Sequence, residues 1–266
     1  MFVYPHFDPV AIAIGPVQIR WYGLMYLLGF LGGWWLARHR ARRPGSTWTA
    51  AQVDDLIFYC AVGVILGGRL GWMLIYGTER LFADPLSVFR IWEGGMSFHG
   101  GLAGVVIALV LFARSRGKRV GDVFDFTAPL PAIGFGAGRI GNFINGELWG
   151  KPTDVPWAFV VDGVARHPSQ LYEALLEGLV LFLIMWWYTA QPRPRLAPSG
   201  LFLVCYGVFR FAVEFVRVPD ENRGYLAFGW LTTGQLLSLP MLVGGVWMLV
   251  VAYRRNEPSG NYTRFS

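Results

Sequence analysis

The feature that most constrains this chain is a series of apolar runs about 20 residues long, the length at which a helix crosses a hydrocarbon core. Seven such runs can be drawn, roughly over 20–37, 53–76, 97–113, 122–140, 169–189, 200–217 and 232–252. Backbone in lipid must satisfy its own hydrogen bonds, so runs of this kind read as helices. The third, fourth and sixth are short or interrupted by glycine and charge. Composition agrees: 54% of residues are hydrophobic and 15% are charged, where a soluble domain is closer to a quarter charged. Twelve Trp and eleven Tyr suit a protein that meets two membrane–water interfaces. The expected fold is all-α, a polytopic membrane protein of about seven transmembrane helices, with residues 1–266 forming a single integral membrane domain. The alternative is a large soluble helical domain with an apolar core. Several separate runs of spanning length argue against it.

The net charge of +6 would suit nucleic acid if the charge formed one patch. It does not. Arg38, Arg40, Arg42 and Arg43 follow the first run, and Arg114, Arg116, Lys118 and Arg119 follow the third. Arg193 and Arg195 follow the fifth, and Arg254, Arg255 and Arg264 the seventh. The opposite side holds only Arg80, Arg90, Lys151, Arg166 and Arg223. Basic residues accumulate on the cytoplasmic face of membrane proteins. The asymmetry therefore predicts an N-terminus outside, a C-terminus in the cytoplasm and an odd number of spans. It points to bilayer lipids as surroundings, with no nucleic acid.

Arg20 is the first basic residue, so no positive stretch precedes the first run and no cleavable signal peptide is expected. Cys60 and Cys205, the only cysteines, lie inside apolar runs without a CxxC, which suggests neither zinc nor a redox pair. They read as small buried hydrophobes. Gly63, Gly67 and Gly71 share one helix face, as do Gly134 and Gly138. Such faces let backbones approach closely, which is a packing signal.

Arg20, Arg69, Arg139, Arg210 and Arg217 lie in or at the ends of runs. An arginine at membrane depth is costly and usually faces protein or a watery cavity with a partner. Arg20 and Arg217 read as snorkelling to headgroups, and Arg69 as half of a structural pair with a carboxylate. Arg139 opens the densest polar cluster, Gly138-Arg139-Ile140-Gly141-Asn142-Phe143-Ile144-Asn145-Gly146-Glu147-Leu148-Trp149-Gly150. Arg139, Asn142 and Asn145 are three apart, so a helix puts them on one side, and Glu147 follows a glycine break. One cation, two amides and a carboxylate at a membrane edge suit an anionic, oxygen-rich headgroup; helix capping and a turn are the plainer explanation. Gly136 to Gly141 also matches GxGxxG, but it follows no strand and opens no βαβ unit, so a dinucleotide site is rejected.

Tyr206, Arg210 and Glu214 are spaced i, i+4, i+8, and Arg217 lies three beyond Glu214. Glu214 would neutralise Arg210 or Arg217; otherwise Arg210 offers a second planar fork for phosphate. His99 stands in Gly94-Gly95-Met96-Ser97-Phe98-His99-Gly100-Gly101, at the outer end of the third run. A lone histidine is usually structural, yet thiol chemistry near neutral pH calls for such a base. Tyr22 and Tyr26 lie four apart and read either as interfacial aromatics or as site residues. His167 opens His167-Pro168-Ser169-Gln170-Leu171-Tyr172-Glu173, which reads as a helix start of mainly structural role.

Together these residues resemble the bacterial prolipoprotein diacylglyceryl transferase family. Gly138 to Gly150 looks like its signature. Trp21-Tyr22-Gly23-Leu24, Gly95 to Gly101, His167 to Glu173, and Tyr206-Gly207-Val208-Phe209-Arg210 with Glu214 match further blocks. The resemblance runs from residue 21 to about 240. It implies a seven-span enzyme of the bacterial inner membrane whose site faces the periplasm, with residues 141–168 as a periplasmic head. The implied donor is phosphatidylglycerol, and the implied acceptor is the lipobox cysteine of a preprolipoprotein still carrying its signal peptide. By resemblance, His99, Arg139 and Arg210 are catalytic, and Tyr22, Tyr26, Asn142, Asn145, Glu147, Tyr206 and Glu214 bind substrate. Neither a metal nor a soluble cofactor is implied.

Three other classes compete. A transporter also uses intramembrane arginines and glycine-broken helices, but its halves should show paired broken helices, and no internal repeat is evident. A membrane assembly factor would have no use for the Arg-Asn-Asn-Glu cluster. A membrane protease would place Ser/Lys, paired Asp or HExxH at one depth, and none is found.

Overall fold

The computed structural model describes residues 1–15, 17–219 and 224–263. Arg223 and Arg264, both part of the charge asymmetry, lie outside them. Helices dominate: α1 (Trp21–Ala41), α2 (Ala50–Ile75), α3 (Thr78–Ala83), α4 (Phe98–Ser115), α5 (Val120–Thr127), α6 (Pro131–Ile144), α7 (Ser169–Glu173), α8 (Leu181–Tyr188), α9 (Ala197–Val213) and α10 (Thr233–Arg255). A π-helical stretch, Ala174–Val180, joins α7 to α8 into one helix over Ser169–Tyr188. Among the described residues, four helices are long and apolar enough to cross a membrane: α2, α4, Ser169–Tyr188 and α10. Capping boxes open two of them, Thr49 with Gln52 and Thr232 with Gln235, each satisfying two otherwise orphaned amides.

The fourth apolar run departs from expectation. It forms α5 and α6 instead of one helix, and Pro131 opens α6. Proline has no amide to bond back and is suited to a first helical turn, so it starts a new helix there. The fold is also not purely helical. Strands β1 (Phe2–Val3), β4 (Phe159–Val161) and β5 (Val164–Arg166) form a sheet in the order β1-β4-β5, with β1 parallel to β4 and β4 antiparallel to β5. β2 (Val10–Ile14) and β3 (Val17–Arg20) form a hairpin. Asp162 and Gly163 join β4 to β5 with φ of 49° and 79°, the positive values a tight two-residue turn demands.

The chain divides into two units. One comprises Met1–Ala37 with Asp125–Ser259; the other comprises Arg38–Phe124 with the stretch from Gly260.

In the first unit, α1 crosses α6 closely: a Cβ on Gly29 would lie 2.9 Å from the Cα of Gly134. Gly138, expected on the same packing face as Gly134, has open space instead. A Cβ on Gly178, in the π-helical stretch, would lie 2.6 Å from the Cα of Gly136. These small residues let α6 press against Ser169–Tyr188, which brings Arg139, one turn beyond Gly136, towards that helix.

In the second unit, α2 packs on α4 along the expected glycine face. A Cβ on Gly63 would lie 2.6 Å from the carbonyl oxygen of Gly104, and one on Gly71 would lie 2.7 Å from the Cα of Gly100. The obstacles are backbone atoms, which no rotamer change can move aside. Gly104→Ala is therefore expected to force the two helices apart and cost about 1–3 kcal/mol. A thermal unfolding midpoint equal to that of the unaltered chain would show the contact to be soft.

Arg69 of α2 corrects the sequence reading. It is 2% exposed, and its guanidinium is held by backbone carbonyls of Ser87, Val88, Arg90, Gly94 and Gly95 in place of the expected carboxylate. Cys60 and Cys205 are free and partly buried.

Candidate active site

The charged groups converge on α6, the helix Ser169–Tyr188, α9 and the residues just after α9, all in the first unit. Glu173 is the hub. Its side chain is 0% exposed. One carboxylate oxygen, Oε2, lies 2.6 Å from Arg139 Nε. The other, Oε1, accepts from Arg210 Nη1 at 2.6 Å and from Arg217 Nη1 at 2.5 Å. Glu214 is a second bridge. Its Oε1 accepts from Arg210 Nη2 and lies 3.1 Å from Arg217 Nε, and its Oε2 accepts from Thr232 Oγ1 at 2.6 Å. Glu177, one turn after Glu173, stands 3.9 Å from both Arg139 and Arg210.

This arrangement offsets the cost of burying charge: Arg210 and Arg217 each ion-pair with both Glu173 and Glu214, and Arg139 ion-pairs with Glu173. It does not consume the cations entirely. The side chains of Arg139 and Arg210 keep 23% and 18% of their surface accessible. Two arginine side chains are thus held by carboxylates and still partly accessible. The π-helical stretch begins directly after Glu173, and such wide turns are rare and recur at functional sites.

The signature loop is built as a strap. Asn142 is buried in α6, and Asn145 ends that helix. Gly146 turns at φ 70°, a left-handed value suited to glycine. Asn145 Nδ2 then donates to Glu147 Oε1 at 2.9 Å. Ser169 Oγ donates to the carbonyl of Leu148 at 2.7 Å, and Gln170 Nε2 donates to the carbonyl of Glu147. Tyr4 Oη, from the N-terminal stretch, bonds the carbonyls of Phe143 and Ile144 at 2.7 and 2.9 Å, closing the end of α6. The block His167 to Glu173 thus does more than start a helix. Ser169 and Gln170 hold the signature loop, and Glu173 holds three arginines. His167 Nδ1 lies 3.1 Å from Tyr172 Oη, and burial pushes its pKa below the usual imidazole value, which keeps it neutral at pH 7.

Tyr22 and Tyr26 meet edge to face on α1, with ring centroids 5.1 Å apart. Tyr22 packs on Gly141, whose added Cβ would lie 3.0 Å from the ring, and is within electrostatic reach of Arg139 and Glu147. Tyr26 is exposed. Tyr206 lies 5.2 Å from Phe135 of α6 and one turn before Arg210. An apolar groove of about 400 Å³ runs between α6 and the Ser169–Tyr188 helix, lined by residues such as Ile140, Leu171, Ala174, Gly178 and Phe182. Hydrocarbon suits that groove, and anionic oxygen suits the arginine edges. His99 is the second residue of α4, exposed, edge-on to Phe98, and belongs to the second unit.

Two expectations change. Arg217 is buried and ion-paired with Glu173 and Glu214 instead of snorkelling. Glu214 bridges Arg210 and Arg217 together, where the sequence offered one or the other. Arg20, by contrast, is exposed at the end of β3. Glu173 and Glu177 escaped sequence reasoning as site residues. The available signal was two carboxylates inside an apolar run of spanning length, which lipid alone would reject.

The prolipoprotein diacylglyceryl transferase family model matches residues 9–251. The chain belongs to the prolipoprotein diacylglyceryl transferase family. It is 61% identical over 266 residues to the phosphatidylglycerol–prolipoprotein diacylglyceryl transferase of Solidesulfovibrio magneticus, covering 98% of this chain and 99% of that one. The proteins of the same name from Ectopseudomonas mendocina and Coxiella burnetii are 56% and 57% identical. Those alignments cover 98% and 97% of this chain, and 99% and 100% of theirs. The stretch shared with the transferase family contains Tyr22, His99, the signature loop, Glu173, Glu177 and Arg217.

Proposed function

We propose that this chain transfers the diacylglyceryl group of phosphatidylglycerol to the thiol of a lipobox cysteine in a preprolipoprotein that still carries its signal peptide. The products are a thioether and glycerol-1-phosphate, and the reaction opens bacterial lipoprotein maturation. The observation that carries this reading is the pair Arg139 and Arg210, anchored on one buried glutamate beside an apolar groove. A phosphate ester with hydrocarbon tails is the ligand such a pairing suits.

The protein acts in the bacterial inner membrane as one integral membrane domain. About seven helices span it, with the N-terminus outside, the C-terminus in the cytoplasm and the site on the periplasmic side. The basic asymmetry supports that orientation. Residues 141–168 form the periplasmic head.

The acceptor thiol, with a reference pKa of about 8.5, must become a thiolate, which neighbouring cations favour. His99 takes the proton. The thiolate attacks the glycerol carbon bearing the phosphoester, a C–S bond forms, and the C–O bond breaks with its electron pair staying on the phosphate. Arg139 and Arg210 stabilise the charge growing there more than they stabilise the bound donor. Asn142, Asn145 and Glu147 hold glycerol hydroxyls and orient Arg139. Tyr22, Tyr26 and Tyr206 flank the headgroup, and Glu214 orients Arg210.

The test is purified protein in phosphatidylglycerol vesicles with a lipobox peptide, scored by mass for the thioether product. A folded protein that yields none sinks the assignment. Uptake of lipid or solute without a covalent product would favour a transporter. If His99 is the base, His99→Gln lowers the rate and removes the acid-side limb of the pH–rate profile, since no imidazole then needs to lose a proton. An unchanged profile removes His99 from that role.

A further inference from the structure

We propose that Arg69 is a positioning residue that fixes the place of His99 through the segment between α2 and α4. The inference rests on the role of His99 proposed above.

A guanidinium has five N–H donors in a rigid fork. Arg69 directs its three nitrogens at five carbonyls of that segment. Nε donates to Val88 at 3.1 Å; Nη2 donates to Ser87 at 2.5 Å and Arg90 at 3.0 Å; Nη1 donates to Gly94 and, at 3.3 Å, to Gly95. A buried arginine usually meets a carboxylate. Here the acceptors are backbone, so the bonds define the path of the chain. Salt bridges from Arg80 and Arg90 to Glu93, and from Arg90 to Asp84, close the same segment on its outer side.

The path leads straight to His99. Gly94 and Gly95 have φ of 79° and 81°, values that strain any residue with a Cβ. A Cβ on Gly95 would lie 2.7 Å from the Trp72 ring. Ser97 N then donates to the carbonyl of Gly68, the residue before Arg69, at 2.9 Å. Ser97 Oγ caps α4 by accepting from Gly100 N at 3.2 Å. His99 sits inside that capped first turn. Two adjacent residues of α2 therefore set where α4 starts, and so where the imidazole stands.

The experiment compares the full-length wild type, Arg69→Lys, His99→Gln and the double variant in phosphatidylglycerol nanodiscs. Lysine keeps the charge but supplies three donors from one point. Each variant is first checked for a monodisperse elution profile and a cooperative thermal transition. Diethylpyrocarbonate modification of His99 is followed by peptide mass spectrometry, with His167 in the same protein as internal reference. Arg69→Lys should change the modification rate of His99 several-fold and leave that of His167 unchanged. It should lower kcat about 10-fold with little change in KM for phosphatidylglycerol, as expected for a displaced catalytic group. The double variant should be no slower than His99→Gln alone. A wild-type modification rate at His99, or a double variant slowed by the product of the two single effects, overturns the proposal. A fully active His99→Gln would remove the base role, while the modification rate still decides whether Arg69 places His99. Should Arg69→Lys fail to fold, Gly94→Ala probes the same link, because the space around Gly94 is open and only its backbone conformation is strained. An unchanged modification rate there likewise overturns the proposal.

Discussion

Arg139→Lys is expected to lower lipid transfer by about 100-fold, near 2.7 kcal/mol of transition-state stabilisation. The substitution keeps the positive charge, so a role as a diffuse attractor of anionic lipid would survive it. What it removes is the fork. Arg139 spends Nε on Glu173 at 2.6 Å and keeps Nη2 3.9 Å from Glu177, so its terminal nitrogens are the groups proposed to meet the phosphate. A lysine ammonium is a single point and cannot hold Glu173 and grip two phosphate oxygens in one plane. The loss should fall on kcat, with KM for phosphatidylglycerol changed only a few-fold, because the fork matters most as charge builds on the leaving phosphate. Initial rates of thioether formation against lipid fraction in mixed micelles check this. Transfer at the wild-type rate would show that charge alone suffices and remove the clamp.

Glu173→Gln should have the largest effect on stability. One buried carboxylate ion-pairs with Arg139, Arg210 and Arg217, drawn from α6, α9 and the segment after α9. Removing one partner from a buried ionic network typically costs 3–5 kcal/mol, because the charges left behind stay desolvated and unpaired. Glu214 would still pair with Arg210 and Arg217, while Arg139 would lose its 2.6 Å carboxylate contact. Glutamine is nearly isosteric, so lost volume does not contribute. The unfolding midpoint in detergent should fall well below that of wild type, and transfer should be abolished as the arginines splay. Glu177→Gln is the control: its contacts to Arg139 and Arg210 are 3.9 Å, so its midpoint should move far less. Equal midpoints for Glu173→Gln and wild type would show that Glu214 alone holds the cluster.

Much of the helical layout was legible because lipid imposes a length and an apolar composition on any helix that crosses it. The break in the fourth run was less so. Pro131 is visible in the sequence, but a proline can kink a helix as well as start one. The short strands at the N-terminus and around residues 159–166 were not legible among apolar runs, since segments of two to five residues carry too little periodicity. The Asp162-Gly163 turn was a usable signal for one of them.

At the site, local spacing placed Arg139, Asn142 and Asn145 on one helix face and Tyr206, Arg210 and Glu214 on another, because a helical period fixes neighbours within one element. The hub was hidden for the converse reason. Glu173 lies far from all three arginines in sequence; the close crossing at Gly136 and Gly178 brings Arg139 to it, and the packing of α9 brings Arg210 and Arg217. Arg69 shows the limit most sharply. Its side chain type announced a buried partner, yet the partners are carbonyls, which every residue carries and no sequence pattern marks.

What the sequence determined by itself is a helical membrane protein with a guanidinium-rich polar cluster, since apolar length and the cost of charge in lipid follow from residue type alone. What only the tertiary structure decided is which charges neutralise which. Ion pairs across helices depend on where backbones cross, and here small residues at Gly136 and Gly178 permit the crossing that puts Arg139 beside Glu173.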